Sequence, residues 1–282
     1  MILDKAYLEI TNICNLSCSF CHKTQRRPRS LSREEFRILT NKLQGKAKYL
    51  YFHVLGEPLI HPELPLFIRE SADKGFVPML TTNGTLLSGR GEELLNTPLR
   101  KISISMHAPE ANGAFASPEY LSVCIDFAKK AAEKNIISVF RLWNEGGLNA
   151  GNAVILDALH DEFGQDWKEN RSGYRLADNV YVEKGKKFTW PDIGGPELGD
   201  CFFCYGLRDQ IGILSDGTVV PCCLDAEGAC PLGNLFEMTL EDILSSPRAK
   251  KIYDGFSSHK AEEKLCRTCG YAAVTNTYRG HL

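Results

Sequence analysis

The 282-residue chain lacks every feature that would mark it for a membrane or for export. No apolar run reaches the roughly 20 residues of a spanning helix. The opening MILDKAYLEI alternates like a strand and has no basic segment leading into an apolar one. A dominant charge is also missing: 33 Lys and Arg against 35 Asp and Glu leave a net charge of -2. Such a balance exerts no general pull on duplex nucleic acid or an anionic membrane, so neither partner is expected. Internal repeats and low-complexity tracts are absent. A cytoplasmic location follows as the expectation, and persistent disulfides are not expected there.

Cysteine, by contrast, is plentiful, with eleven in the chain. Cys124 sits alone in an amphipathic helical pattern and reads as a small buried hydrophobe. The other ten crowd the two ends: Cys14, Cys18 and Cys21, then Cys201, Cys204, Cys222, Cys223, Cys230, Cys266 and Cys269. In a reducing compartment such clustering points to metal.

Up to about residue 183 strands and helices alternate. Strands are expected at 5–11, 49–54, 78–82, 101–107, 136–142 and 178–183. Helices are expected at 63–74, 86–96, 118–134 and 150–163, with another after the S-x-x-E capping box of Ser32 and Glu35. Repeated β-α units of this length favour an α/β fold with a parallel sheet, open or closed as a barrel. In KISISMH (101–107) Ser103, Ser105 and His107 share one face. A parallel strand under helices normally reads as a continuous apolar run, so this stripe predicts a wet, ligand-holding interior. After residue 190, PDIGGPELGD is a Gly/Pro-rich linker. A hairpin turning at Asp216-Gly217 and one helix over 239–253 follow. The division is therefore 1–190 and 191–282.

The stretch CNLSCSFCH (14–22) places three thiols on one loop after the first strand, with spacing C-x3-C-x2-C. A structural zinc wants four ligands, whereas three thiolates suit an iron–sulfur cluster with one open iron. The pattern, with Phe20 as the aromatic before Cys21, resembles the signature of the radical S-adenosylmethionine (SAM) superfamily. LGEP (55–58) resembles that family's glycine-glycine-glutamate segment, with Leu55 in place of its first glycine, so that only Gly56 and Glu57 carry over. TTNG (81–84), which contains Asn83, follows the third strand. Ser103 and Ser105, and then Arg141 and Asn144, lie where the family contacts SAM. The resemblance implies a partial (β/α)6 TIM-like barrel and a [4Fe–4S] cluster on Cys14, Cys18 and Cys21. The open iron would chelate SAM, and one electron would cleave it to methionine and a 5′-deoxyadenosyl radical that abstracts hydrogen from substrate.

Cys204 and Cys222 are separated by seventeen residues, and Cys266 and Cys269 form a C-x2-C pair. Spacing alone fits a zinc ribbon and an iron–sulfur cluster equally. The context, with Gly217 five residues before Cys222 and then PLGNL (231–235), resembles the SPASM/twitch extensions of the same superfamily. Without a cysteine after Cys269, the short α/β twitch form with one auxiliary [4Fe–4S] cluster is implied. The spacing is especially similar to that of the butirosin-pathway deoxy-scyllo-inosamine dehydrogenase. Cys201, Cys223 and Cys230 stay unassigned, and the C-x2-C of Cys201 and Cys204 leaves another ligand set open.

Further candidates have two readings each. The basic loop KTQRRPRSLSR (23–33) is a solvated loop or a docking patch for a flavodoxin or ferredoxin electron donor. His107 and Arg141 are candidate catalytic groups facing the interior, and His53 is a core or SAM-shell residue. Tyr51, Tyr205 and Trp143 read as packing. No room for a leader-recognition domain and a single auxiliary cluster favour a small polar substrate (a sugar, cyclitol or nucleoside). Its fate would be oxidation or radical bond cleavage, as in queuosine lyase. A peptide maturase is the alternative, and a non-catalytic zinc protein a more remote one.

Overall fold

The computed structural model describes residues 3–277. The chain runs β1 (Leu3–Leu8), α1 (Arg33–Leu43), β2 (Ala47–Tyr51), α2 (Leu64–Asp73), β3 (Val77–Thr82), α3 (Leu87–Leu95), β4 (Lys101–Ser105), α4 (Pro118–Glu133) and β5 (Ile137–Glu145). It continues through α5 (Asn152–Phe163), β6 (Lys168–Asn170), β7 (Gly173–Ala177), β8 (Val180–Lys186), β9 (Gln210–Ile213), β10 (Thr218–Val220) and β11 (Gly233–Asn234). Four helices close it: α6 (Leu240–Ser245), α7 (Pro247–Ser257), α8 (Lys264–Arg267) and α9 (Gly270–Thr277).

All strands join one sheet in the order β11-β10-β9-β1-β2-β3-β4-β5-β8-β7-β6. β1 to β5 and β8 pair in parallel, which gives the six strands of the expected partial barrel. β9 pairs in parallel with β1, Lys5 opposite Gln210, so the sheet runs unbroken into the C-terminal unit. The even-numbered residues Ala6, Leu8, Leu50, Leu80, Ile102, Ile104, Phe140, Leu142, Val180 and Val182 are all buried in the main core. They lie under the helices, where Phe36 of α1 stacks on Phe67 of α2 with centroids 4.0 Å apart.

The odd-numbered face is different. It carries Lys5, Tyr7, Tyr51, Lys101, Ser103, Ser105, Arg141 and Glu183, placed side by side by register. Three strands separate β1 from β5, and in a flat sheet about 19 Å would divide them. Yet Tyr7 feels the charge of Arg141. The sheet is therefore curled, with the odd-numbered side chains facing one another across a polar lumen.

Two local forecasts change. The expected helix over 239–253 is two helices, because Ser246 precedes Pro247 and is pushed to extended ψ (149°). Ser246 then caps α7 by accepting from the Ala249 N–H. The β6–β7 hairpin was not foreseen: Lys168–Asn170 is exposed throughout and carries no alternation. The capping box is present, with Ser32 Oγ accepting from the Glu35 N–H and Glu35 Oε2 from the Ser32 N–H. The Asp216-Gly217 turn is also as expected. Gly217 has φ +85°, and a Cβ there would meet the Phe236 ring at 2.4 Å.

The loops above the lumen are tied by Glu9, just past β1 and fully buried. Arg26 donates to both its oxygens at 2.7 Å. Leu55 N–H donates to Oε2 at 3.2 Å, and Ser215 donates to Oε1 through N–H and Oγ at 3.2 and 3.0 Å. Removing one partner of such a pair strands the other. Glu9→Ala is expected to cost about 3–5 kcal/mol. Glu241→Ala, which breaks only the exposed Lys46–Glu241 pair, should cost under about 1 kcal/mol. Thermal unfolding of anaerobically prepared protein checks this, and similar losses in the two variants would contradict it.

Candidate functional site

The three N-terminal thiols sit on a loop gripped from two sides. From residues 107–112, Asn112 Nδ2 donates to Cys18 Sγ at 3.1 Å and accepts through Oδ1 from Ser17 N–H. Ser19 N–H donates to Ala111 O. From the other side Asn83 Nδ2 approaches Cys14 Sγ at 3.9 Å, and Leu16 N–H donates to the same sulfur at 3.4 Å. Cys21 hydrogen-bonds Cys18, which holds the Cys18 thiol below its ordinary range. N–H groups aimed at sulfur stabilise thiolate, and this is how cluster ligands are oriented. The donor set fits a three-thiolate cluster seat. Among the described residues no three His, Cys, Asp or Glu side chains form a site for a single ion.

The LGEP loop braces this seat. Gly56 has φ +78°, and a Cβ there would meet Thr11 O at 2.3 Å, so no other residue fits. Glu57 N–H donates to Ile13 O at 2.9 Å. The Glu57 carboxylate, 2% exposed, accepts from Leu59 N–H, Thr82 Oγ1 and Asn83 N–H. Burial nonetheless raises its pKa. Glu57 thus positions the loops that carry Asn83 and Cys14.

The remaining candidates are placed as follows. Ser103 is buried and Ser105 half-buried on the lumen face of β4, Ser105 in register with Arg141. Phe20 lies against His107, centroids 4.6 Å apart, and His107 Nδ1 bonds Arg141 O at 3.0 Å. Burial lowers the His107 pKa to about 4 and that of His53 to about 3. Asn144 is turned to its own loop: it exchanges amide hydrogen bonds with Asn152 and donates to Leu148 O. The basic loop is mostly neutralised within the chain. Arg26 pairs with Glu9, Arg29 with Glu35, Arg33 with Glu70, and Lys23 Nζ donates to Cys18 O. Among the described residues neither Lys23 nor Arg27, both exposed, has a carboxylate partner.

Arg141 is the lumen's central cation. Its guanidinium lies 3.5 Å from the Trp143 ring centroid and 3.9 Å from a Glu183 oxygen. Among the described residues its Nε and the indole N–H of Trp143, both buried, have no hydrogen-bond partner. A buried donor left unpaired is costly, and an oxygen placed beside these groups would relieve that cost. Tyr7 meets the thiol of Cys223, which follows β10 on the same side of the lumen. Burial and a nearby tyrosine push Tyr51 up to about 12.

The second thiol set lines a cavity of about 30 Å³ in the C-terminal unit. Cys204, Cys222, Cys266 and Cys269 meet there, joined by Cys230. Burial pushes Cys204 up to about 11 and Cys222 well above the ordinary thiol range. Gly206 N–H donates to Cys204 Sγ at 3.4 Å. Four or more thiols in an apolar pocket, supported by an N–H donor, fit a cluster whose iron displaces their protons. Cys201 is exposed and its backbone bridges to Lys260. Sequence reasoning missed Glu9, Asn112 and the cavity position of Cys230. The alternation Tyr7, Glu9, Thr11 could have flagged Glu9, whereas neither Asn112 nor Cys230 had a signal.

Comparisons with known proteins agree with this geometry. A radical SAM superfamily model matches residues 8–169, and an iron–sulfur cluster-binding SPASM model matches residues 204–270. A tungsten-containing aldehyde ferredoxin oxidoreductase cofactor-modifying protein of Pyrococcus furiosus is 36% identical over 87 residues, 29% of this chain and 24% of the relative. A probable GTP 3',8-cyclase of Halobacterium salinarum is 33% identical over 128 residues, 39% of this chain and 32% of the relative. The matches thus span about a quarter to a third of these relatives. Among solved structures, BtrN in complex with AdoMet and 2-DOIA superposes with TM-score 0.65 at 18% identity, covering 95% of this chain and 93% of BtrN. The anSMEcpe protein with bound AdoMet gives 0.61 at 13% identity, covering 94% and 88%. The fold is the one those structures share, and no described helix is long and apolar enough to cross a membrane.

The cofactors are accordingly two [4Fe–4S] clusters and SAM. Cys204→Ser is expected to lower the iron content from roughly eight to roughly four per chain, while Cys201→Ser leaves it unchanged. Iron assay after anaerobic purification checks this; equal loss in both would contradict the ligand set. With more than half of its 282 residues under one family model, this chain belongs to the radical SAM superfamily.

Proposed function

We propose that this radical SAM enzyme abstracts hydrogen from a small polar molecule, a sugar, cyclitol or nucleoside, and that oxidation or radical bond cleavage follows. The single observation behind this reading is the polar lumen. Its inner face offers cations, a carboxylate, phenols and hydroxyls in close register, with Arg141 Nε and Trp143 Nε1 unpartnered. Residues 1–190 form the barrel and residues 191–282 the auxiliary-cluster unit. Flavodoxin or ferredoxin would supply electrons.

Cys14, Cys18 and Cys21 would hold the first cluster, and Cys204, Cys222, Cys266 and Cys269 the second. When bound, the first cluster supplies the electron that cleaves SAM to a hydrogen-abstracting 5′-deoxyadenosyl radical. The chain's own part is to orient and to exclude water. Asn83, Ser103 and Ser105 lie along the path from the cysteine loop into the lumen, where they can bind SAM. Arg141 can donate to a substrate or SAM oxygen while Glu183 accepts from a hydroxyl. His107, kept neutral by burial, braces Phe20 and the strand end at Arg141.

A peptide substrate is the second reading, because structures of this fold include SuiB of Streptococcus suis bound to the precursor peptide SuiA, at TM-score 0.54 and 14% identity. Dithionite-dependent 5′-deoxyadenosine formation, screened across sugars, cyclitols, nucleosides and peptides, separates the two. Stimulation by one small polar class is the expected result, and stimulation by peptides alone would replace this reading with the second. A colourless zinc protein that leaves SAM intact would end both. With the responding substrate, Arg141→Met is expected to lower kcat/KM roughly 10- to 100-fold at unchanged iron content.

A further inference from the structure

The lumen is short of negative charge. On the strand faces that line it, the described residues carry Lys5, Lys101 and Arg141 against one carboxylate, Glu183. Among the described residues neither lysine side chain has a hydrogen-bond or carboxylate partner. Glu183 approaches Arg141 only to 3.9 Å, at Nε, which is too far for a hydrogen bond. Burial lowers the Lys101 pKa, Glu183 opposes that, and Arg141 and Lys5 add to it, so the three cations share one field. SAM does not fill the deficit, because its amino and sulfonium charges outnumber its carboxylate.

The donors are also arranged. Arg141 and Trp143 leave β5 on the same face, and the guanidinium lies 3.5 Å from the indole ring centroid. Gly185 of β8 makes room for this stack, since a Cβ there would meet Trp143 Cδ1 at 2.9 Å and Nε1 at 3.3 Å. Arg141 Nε and the indole N–H are buried, and among the described residues neither has a partner. A hydroxyl placed between Arg141 Nε and Glu183 would accept from the first and donate to the second. The terminal guanidinium nitrogens form a fork that matches an oxyanion.

We propose that the substrate carries an anionic group, a phosphate or a carboxylate, beside a hydroxyl, and that the Arg141–Trp143 stack over Gly185 is the seat that selects it. The proposal rests on the small polar substrate proposed above and narrows it to anionic members. A neutral molecule would displace water from the three cations and return no counter-charge, which is the costly way to fill such a site. Trp143 reads as packing in the sequence; its place in the seat depends on Gly185 of a different strand.

Anaerobic holoenzyme with both clusters is titrated by calorimetry with inorganic phosphate, with acetate and with neutral glycerol, each with and without saturating SAM. Saturable binding of phosphate or acetate, but not of glycerol, is expected, and the tighter anion names the group. Arg141→Gln should weaken that binding at least about tenfold, and Trp143→Phe, which keeps a ring but loses the donor, roughly threefold, both at unchanged iron content. Gly185→Ala, which displaces the indole, should act like Trp143→Phe. Absence of saturable anion binding would overturn the proposal, as would binding indifferent to Arg141→Gln and Trp143→Phe. Binding abolished by SAM would give the seat to SAM's own carboxylate and also overturn it. In the 5′-deoxyadenosine screen, phosphorylated or carboxylated compounds should stimulate more than their neutral parents. Equal stimulation by the neutral parents would overturn this proposal and leave the small polar reading intact, whereas stimulation by peptides alone would remove both.

Discussion

Everything above the lumen depends on one buried carboxylate. Glu9 accepts from five donors drawn from three segments: Arg26 after the cysteine loop, Leu55 of the LGEP loop, and Ser215 of the C-terminal hairpin. A fully buried charge is tolerated only when it is paired and hydrogen-bonded this completely. Two further contacts reinforce the join, with Glu227 lying 3.2 Å from His22 and accepting from Gln25 N–H. The first cluster loop, the SAM-side loop and the auxiliary unit are thereby held in one arrangement, and the sheet itself continues from β1 into β9.

The consequence is a lumen framed by both thiol sets. Cys222 and Cys223 are chain neighbours that look opposite ways. Cys222 lines the auxiliary cavity, while Cys223 meets Tyr7 and the field of Arg141 in the lumen. Burial pushes Cys223 up to about 12, against the opposing pull of Tyr7 and Arg141. The auxiliary cavity is thus one peptide unit from the chamber in which Arg141 and Trp143 present unpartnered donors.

Much of this was legible in the sequence because it rests on local rules. The capping box at Ser32, the Asp216-Gly217 turn, the β-α alternation and the polar stripe of KISIS each follow from residue type and period alone. The cysteine spacings identified both thiol sites, since ligands to one cluster must be near in space whatever their distance in sequence. What stayed hidden depends on tertiary contact. Asn112 reaches Cys18 from 94 positions away, and Cys230 enters the cavity through a turn set by Asp225. Glu57 carried a motif-based SAM role, yet its carboxylate accepts from three donors inside the chain. Arg26 read as a surface cation until its partner, Glu9, was seen.

The central claim is that Cys14, Cys18 and Cys21 would hold a cluster with one iron left free of protein ligands for SAM. Electron–nuclear double resonance on the reduced holoenzyme, with SAM labelled with 15N at its amino group, addresses it directly. The account predicts 15N coupling to the first cluster, abolished when Cys18 is replaced by Ala. Saturating SAM with no 15N coupling would contradict it.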